Sequence, residues 1–270
     1  MEIALVYMAA GISSRFGGKI KQFVKVGPNQ ETLIEYSLKK ALPAGFTKII
    51  FIVGNKTEQP FREKFGTSYK GIPVEYALQT YDEKLRDKPW GTTDALCSLK
   101  DLDCPFVICN GDDLYGSSTF QQLVNHLKTK ETCATIGIRL LEMLPDKGNV
   151  IRGIFEVENN KVKSIIETYD INKENLYSKG LNKESLANMN IFALTPQVLD
   201  ELNKILQNFK QIHKGDRKIE CLLPVEISNL IKTNKITLEI YSTTEKWLGI
   251  TNPEDEEIVR NNLAKTKLKI

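Results

Sequence analysis

The sequence has few of the features that mark membrane, secreted or nucleic-acid-binding proteins. Its longest uninterrupted apolar run, residues 3–10, is eight residues long, whereas a helix that spans a bilayer needs roughly 20. Its 37 basic residues nearly balance its 34 acidic residues, and a net charge of +3 is too small to indicate polyanion binding. Glu2 stands where a signal peptide would carry positive charge. The chain is therefore expected to be cytoplasmic, with neither a membrane nor a nucleic acid among its partners.

Cysteine and histidine are also scarce. The five cysteines form no C-x-x-C pair and several lie within apolar runs, so they are expected to be reduced and mostly buried. With only two histidines, a zinc site rich in His and Cys is not expected. Any bound metal must then be held by oxygen atoms.

Strand-like and helix-like segments alternate through the first half of the chain. Apolar, β-branched runs predict strands at 2–8, 48–53, 74–77, 106–109 and 133–140. Helical patterns predict helices at 33–42, 57–65, 92–99 and 118–130. Two of these helices begin with capping-box patterns, Thr32 to Glu35 and Ser118 to Gln121. The alternation predicts a parallel sheet with helices on both faces, in which ligands bind at the carboxyl ends of the strands.

The second half adds a hairpin and further helices. Two predicted strands, 151–157 and 161–167, flank Asn159 and Asn160, a pair that favours a tight hairpin turn. The remaining predicted elements are strands at 186–194 and 236–240, a helix over 220–232, and helices that begin at Thr195-Pro196 and Asn252-Pro253. Since no linker rich in Gly, Ser or Pro divides the chain, residues 1–270 are expected to form one α/β domain with a mixed, mostly parallel sheet flanked by helices.

The loop after the first strand combines small residues, glycines and cations. Ala9, Ala10 and Gly11 would let a ligand approach bare backbone, and Gly17-Gly18 permit unusual backbone angles. Three cations follow within seven residues: Arg15, Lys19 and Lys21. This composition favours binding of a polyphosphate.

Two common phosphate-binding motifs do not fit this loop. A Walker A loop requires Ser or Thr after Gly-Lys, but Ile20 follows Gly18-Lys19. The dinucleotide pattern G-x-G-x-x-G fails because Ser13 and Phe16 stand where its second and third glycines belong. The loop therefore belongs to neither of these two motifs.

The loop resembles the signature of nucleotidyltransferases with a GT-A-like fold, which include the sugar-1-phosphate nucleotidylyltransferases. Their pattern is roughly L-A-A-G-x-G-[ST]-R followed by Lys. Ala9-Ala10-Gly11, Ser14, Arg15 and Lys21 match it, and Ser13 replaces a glycine. A second similarity begins at Trp90 and resembles the family segment G-T-A-x-A-L. The resemblance implies catalytic roles for Arg15 and Lys21 at the triphosphate. It also implies nucleotide binding by Ala9, Ala10, Gly11, Ser13, Ser14, Gln79, Gly91 and Thr92, with Gln79 offering a donor and an acceptor to the base.

Two acids follow the predicted strand 106–109 and resemble the family segment G-D-x. A carboxylate there would lie at the ligand edge of the sheet, and the resemblance implies that Asp112 is a catalytic residue that holds Mg²⁺. Magnesium prefers few carboxylates together with phosphate oxygens and water. Asp113 and Asp255 remain alternative ligands, although Asp255 also fits a first-turn acid that opposes the dipole of the last helix.

The resemblance extends to the acceptor side, where it implies that Gly153, Glu167 and Asn190 bind the acceptor. Asn190 replaces a usual glycine. Two further departures are visible. Thr168 stands where many members have the lysine of Glu-Lys-Pro, a cation for the acceptor phosphate, and Gly249 stands where many have a second metal-binding aspartate.

Together these features predict an Mg²⁺-dependent enzyme that joins an NTP to a phosphorylated acceptor, with a sugar 1-phosphate favoured. Residues 1–140 would bind the nucleotide and residues 141–270 the acceptor. Three alternatives stay open: a phosphocholine or other alcohol-phosphate cytidylyltransferase, an inactive nucleotide-binding module, and a glycosyltransferase that uses a finished NDP-sugar. The base of the nucleotide is left open. The oligomeric state is open as well, and a homo-oligomer is one of the alternatives.

Overall fold

A ten-stranded sheet runs through both halves of the chain. The computed structural model describes residues 1–11, 16–145, 148–250 and 252–267. Its strands are β1 Ala4–Met8, β2 Lys48–Gly54, β3 Ser68–Tyr69, β4 Ile72–Gln79, β5 Phe106–Asn110, β6 Asp113–Leu114, β7 Cys133–Arg139, β8 Val150–Glu158, β9 Lys161–Ile171, β10 Leu186–Leu194, β11 Leu238–Thr243 and β12 Leu248–Gly249. The order in the large sheet is β3-β4-β2-β1-β5-β10-β7-β11-β9-β8, while β6 and β12 pair separately.

The first half of the sheet is parallel where the sequence predicts it. Strand β1 lies between β2 and β5 and runs parallel to both, with Met8 opposite Ile52 on one side and Asn110 on the other. Strand β4 continues the parallel set beyond β2. The carboxyl ends of these four strands therefore meet at one edge, where the predicted ligand loops begin.

The second half is mainly antiparallel. Strand β10 runs antiparallel to both β5 and β7, whereas β11 joins β7 in parallel. Strands β8 and β9 form the predicted hairpin, whose turn residues Asn159 and Asn160 have φ of 50° and 59°, as a primed two-residue turn requires. Ile154, in the middle of β8, also pairs with Ala187 of β10. The predicted α/β class with a mixed sheet is confirmed.

Helices cover both faces of the sheet. They are α1 Leu33–Ala41, α2 Glu58–Phe65, α3 Thr92–Leu96, α4 Ser117–Thr129, α5 Pro196–Ile212, α6 Leu223–Lys232 and α7 Asp255–Lys267. Alternate residues of β1 enter different cores, because successive strand side chains point to opposite faces. Leu5 and Tyr7 join a core with α1, α2 and α4, whereas Ala4 and Val6 join a core with α3, α5 and α6.

One predicted helix cap is confirmed and the other is wrong. At α1 the Glu35 carboxylate accepts a hydrogen bond from the backbone N–H of Thr32 at 2.9 Å, as in a capping box. At α4 the predicted box of Ser118 and Gln121 does not form. The Glu245 carboxylate instead accepts from the N–H groups of Ser118 and Thr119 at 3.2 and 3.0 Å. An acid at a helix N-terminus satisfies free N–H groups and opposes the dipole, whichever part of the chain supplies it.

The five cysteines are free, and four of them are buried while Cys97 is partly buried, as the sequence predicts. None of the helices in the described part of the chain is long and apolar enough to cross a membrane.

Candidate active site

The predicted nucleotide-binding residues that the structure describes lie at the carboxyl edge of the parallel strands. Ala9–Gly11 leave β1, and the Ala9 N–H donates to the carbonyl of Ile52 at 2.8 Å. The chain passes so close to β2 that a Cβ on Gly54 would lie 2.9 Å from the Ala10 carbonyl oxygen. Gln79 ends β4, Gly91 precedes α3 and Thr92 begins it. Three predicted residues, Ser13, Ser14 and Arg15, lie outside the described residues.

The amide of Gln79 is held in a buried network. Its Nε2 donates to the Gly91 carbonyl at 3.1 Å and to the Asp94 carboxylate at 2.8 Å, and Lys210 contacts the other oxygen of Asp94 at 2.5 Å. Because an amide nitrogen has two hydrogens, both are engaged. The sequence suggests that Gln79 offers a base both a donor and an acceptor, but in this arrangement its Oε1 is the atom left for a ligand.

Gly91 and Thr92 attach α3 to the segment that leads into α6. Gly91 has φ of 101°, and a Cβ there would lie 2.5 Å from the Cys221 carbonyl oxygen. The Thr92 hydroxyl accepts a hydrogen bond from the Leu223 N–H at 2.8 Å, at the first residue of α6. Thr92 therefore satisfies a free N–H at the start of α6, a helix far along the chain.

Lys21 and Asp112, two of the predicted catalytic residues, form an ion pair. Lys21 begins a single 3₁₀ turn, Lys21–Phe23, and Asp112 follows β5. Their side chains are only 19% and 25% exposed, and the Lys21 ammonium also lies 3.5 Å from the carbonyl oxygen of Ile250. The fold therefore places a cation against the Asp112 carboxylate at the edge where β5 ends.

The neighbouring acid, Asp113, is buried. Burial, followed by the charge of Asp112, raises the pKa of Asp113 to about 7, although a hydrogen bond from the Asn110 amide at 2.7 Å lowers it in part. Asp113 pairs with Gly249 of β12, and a Cβ on Gly249 would lie 2.5 Å from Asp113 Oδ1. The bare backbone of Gly249 thus leaves the space that the Asp113 carboxylate fills.

We expect Asp113→Asn to stabilise the metal-free chain at alkaline pH. Between about pH 4 and pH 7 the folded chain holds a proton on Asp113 that the unfolded chain has released, so the free energy of unfolding decreases as the pH rises through this window. The uncharged variant escapes this loss, and its Tm at pH 8 should exceed that of the wild type by about 5 °C. Thermal unfolding in EDTA at pH 5 and pH 8 measures the effect. The exposed acid variant Asp103→Asn is the control, and an equal pH dependence in Asp113→Asn and wild type would contradict the prediction.

A cleft of about 400 Å³ adjoins the two acids. Its lining includes six of the predicted site residues: Thr92, Asp112, Asp113, Gly153, Glu167 and Asn190. Four other polar residues of the lining have no role predicted from the sequence: Asn110, Arg152, Asn188 and Trp247. Both halves of the chain therefore contribute to one cavity of the size that holds small ligands.

The hairpin and β10 form the far wall of this cleft. Gly153 lies directly opposite Glu167 in the β8–β9 register, and the Tyr169 hydroxyl donates to the Glu167 carboxylate at 2.9 Å. Asn190 has φ of 52° at an irregularity of β10. Asparagine tolerates this left-handed conformation better than most residues, which explains how it can stand where the family pattern has glycine.

The structure does not bring Asp255 to the cleft. Its carboxylate accepts a hydrogen bond from the Asn252 N–H at 2.7 Å, and it is the first residue of α7. This is the arrangement of a first-turn acid at a helix N-terminus, the alternative that the sequence left open.

Several solved structures share this fold. A Bacillus anthracis protein assigned as a glucose-1-phosphate thymidylyltransferase, crystallised with sucrose, is 17% identical and has a TM-score of 0.70, with 97% of this chain and 95% of that chain covered. A UDP-glucose pyrophosphorylase in complex with UDP-glucose is also 17% identical, with a TM-score of 0.69 and coverage of 98% and 100%. The UTP-bound UGPase of Acinetobacter baumannii is 15% identical, with a TM-score of 0.66 and coverage of 99% and 98%.

At identities of 15–17% these structures show a shared fold alone. Family membership is shown instead by the sequence. The family model described as Nucleotidyl transferase matches residues 14–255, which is most of the chain. The chain belongs to the nucleotidyl transferase family and is an enzyme of that class, as its motifs indicate. No curated protein matches the chain in sequence.

Proposed function

We propose that the enzyme joins an NTP to a sugar 1-phosphate in the presence of Mg²⁺, which gives an NDP-sugar and pyrophosphate. The observation that carries this proposal is the Lys21–Asp112 pair at the carboxyl edge of the sheet, beside a cleft with a polar far wall. The proposal assigns the nucleotide to residues 1–140 and the acceptor to residues 141–270. It is supported by the solved proteins of the same fold, among them a protein assigned as a glucose-1-phosphate thymidylyltransferase, a UDP-glucose pyrophosphorylase in complex with UDP-glucose, and a UTP-bound UGPase.

The residues at the acid pair fit a magnesium ion. Asp112 is partly exposed and already holds a cationic group, and Asp113 lies next to it in the lining of the cleft. The described residues contain no cluster of three or more His, Cys, Asp or Glu that could hold a metal by themselves, but Mg²⁺ on phosphates needs only one or two carboxylates. Asp112 would hold the ion, which would neutralise charge on the α-phosphate when bound; Asp113 is the reserve ligand.

The chain's own residues position the reactants and neutralise charge. A phosphate oxygen of the acceptor attacks the α-phosphorus in line, pyrophosphate leaves, and no covalent intermediate with the enzyme is needed. Lys21, near the end of the loop that follows β1, would stabilise the charge that shifts to the departing pyrophosphate, together with Arg15. The cleft holds the acceptor against the edge of the sheet, which makes the attack effectively intramolecular.

Release of pyrophosphate tests this proposal. The four NTPs and dTTP are each incubated with glucose 1-phosphate or phosphocholine, with Mg²⁺ or EDTA. We expect turnover with one NTP and glucose 1-phosphate that EDTA abolishes. Turnover with phosphocholine alone would make the enzyme an alcohol-phosphate nucleotidyltransferase. Nucleotide binding without turnover on any acceptor would indicate an inactive module, and consumption of an NDP-sugar without an NTP would indicate a glycosyltransferase.

Glu167→Gln should raise the KM for the acceptor by about tenfold, which is the loss of one charge-assisted hydrogen bond. The KM for the NTP should stay nearly unchanged, because the hairpin faces the acceptor cleft. Steady-state kinetics with each substrate varied in turn measures the KM for the acceptor and the KM for the NTP separately. Glu158→Gln, an exposed acid of the same hairpin that pairs with Lys163, is the control. An equal loss of NTP affinity would mean that the hairpin is misassigned.

A further inference from the structure

A buried hydrogen-bond donor of Arg152 in the cleft has no acceptor. Arg152 Nε is buried and has no hydrogen-bond partner among the described residues, and the Arg152 side chain lines the cleft. Within the described part of the chain, the Arg152 guanidinium donates one hydrogen bond, from Nη1 to the carbonyl of Ile151 at 3.0 Å. Buried donors without acceptors are rare and costly in folded proteins. The position of the Arg152 donor in the wall of the cleft indicates that a ligand supplies its acceptor atom.

The charges around the cleft favour an anionic ligand group at Arg152. Among the described residues that line the cleft, Arg152 is the one lysine or arginine. It forms no ion pair within the described part of the chain, and the nearby carboxylate that acts on it is Asp113. Asp112 already pairs with Lys21, and Glu167 accepts from Tyr169. The guanidinium carbon lies 5.8 Å from the centre of the Trp247 ring, which holds the side chain against the wall of the cleft.

We propose that Arg152 binds the phosphate of the acceptor. This inference rests on the proposed function, in which a phosphorylated acceptor enters the cleft. A guanidinium can donate two parallel hydrogen bonds to phosphate oxygens, a geometry that a lysine does not provide. Arg152 lines the same cavity as Asp112 and Asp113, so a phosphate held there lies on the side of the cleft where the attack must occur.

The register of the hairpin supports this assignment. Arg152 lies directly opposite Thr168, and facing residues of antiparallel strands project from the same face of the sheet. Thr168 is the position at which the family pattern has a lysine. Arg152 thus supplies a positive charge from the adjacent strand where Thr168 supplies none.

The test compares Arg152→Gln with Arg139→Gln. Arg139 is exposed and pairs with Glu184 outside the cleft, so its variant removes the same charge without touching the site. With glucose 1-phosphate and the best NTP, Arg152→Gln should raise the acceptor KM by about 10- to 100-fold, as expected for lost hydrogen bonds to a charged group. The NTP KM and the Tm should match those of Arg139→Gln. An acceptor KM no higher than in the control, or an equal rise in both KM values, would overturn the proposal.

A cross-strand exchange separates phosphate binding from a structural role. Adding Thr168→Lys to Arg152→Gln should recover at least a third of the lost acceptor affinity, because the new cation starts from the facing position. Failure to recover any would overturn the proposal.

Calorimetric titration with inorganic phosphate keeps the inference apart from the proposed function. If the wild type turns over no sugar phosphate, the function fails, but phosphate should still bind the wild type and Arg139→Gln and bind Arg152→Gln at least tenfold more weakly. Equal phosphate binding by wild type and Arg152→Gln, or none by either, would overturn the role of Arg152.

Discussion

Asp112→Asn is expected to abolish turnover while leaving the fold intact. The residue follows the buried strand β5, is a quarter exposed and touches Lys21 rather than a hydrophobic core, so the substitution removes charge without removing packing. Loss of an interaction that stabilises charge in the transition state costs on the order of 10²–10³ in kcat. Pyrophosphate release at saturating NTP and acceptor measures the loss, and thermal unfolding checks the fold.

Metal binding gives an independent check on Asp112. Electron paramagnetic resonance of Mn²⁺ should show weaker binding of the ion to Asp112→Asn than to wild type. Asp113→Asn is the matched comparison, since it removes a neighbouring carboxylate that is buried and hydrogen-bonded to Asn110, and its loss of turnover should be smaller. Near-normal turnover of Asp112→Asn at saturating Mg²⁺ would reassign the metal to Asp113.

Lys21→Ala is expected to reduce kcat far more than Lys19→Ala or Lys25→Ala. All three lysines attract a triphosphate over long range, but salt screens such attraction within about 10 Å at 0.1 M. Lys19 and Lys25 are exposed, whereas Lys21 is held between Asp112 and the Ile250 carbonyl. Removal of a lysine that contacts the phosphates directly should reduce kcat by a factor on the order of 10²–10³, and high salt should not erase that loss.

The ion pair adds a second measurable consequence for Lys21. Without its ammonium group, Asp112 has no cation against it, so nucleotide-free Lys21→Ala should bind Mn²⁺ at least as tightly as wild type while its turnover falls. If Lys21 had only a structural role, its loss would weaken both Mn²⁺ binding and turnover. If the three alanine variants lose activity equally and high salt removes their differences from wild type, the loop acts only as an electrostatic funnel.

Most secondary structure could be predicted because its signals are local. The apolar run before Ala9 predicts a strand, and β1 ends at Met8. Asn159-Asn160 predicts a hairpin turn, and both residues take the positive φ that such a turn needs. The Thr32 to Glu35 capping box forms for the same reason, since its donor and acceptor lie three residues apart. The predicted residues at the strand ends also meet at one edge, because parallel strands align their carboxyl ends.

What the sequence alone determined was therefore the elements, the family and the edge of the sheet that carries the candidate site. The tertiary structure decided the contacts between distant segments: the cap of α4 by Glu245, the ion pair of Lys21 with Asp112, and the space at Gly249 that Asp113 fills. It also decided that Arg152 faces Thr168, because an irregularity after Glu156 shifts the hairpin register by one residue. A shift of one residue moves each side chain to the other face of a strand. Such pairings depend on how whole elements pack together, and no spacing along the chain encodes them.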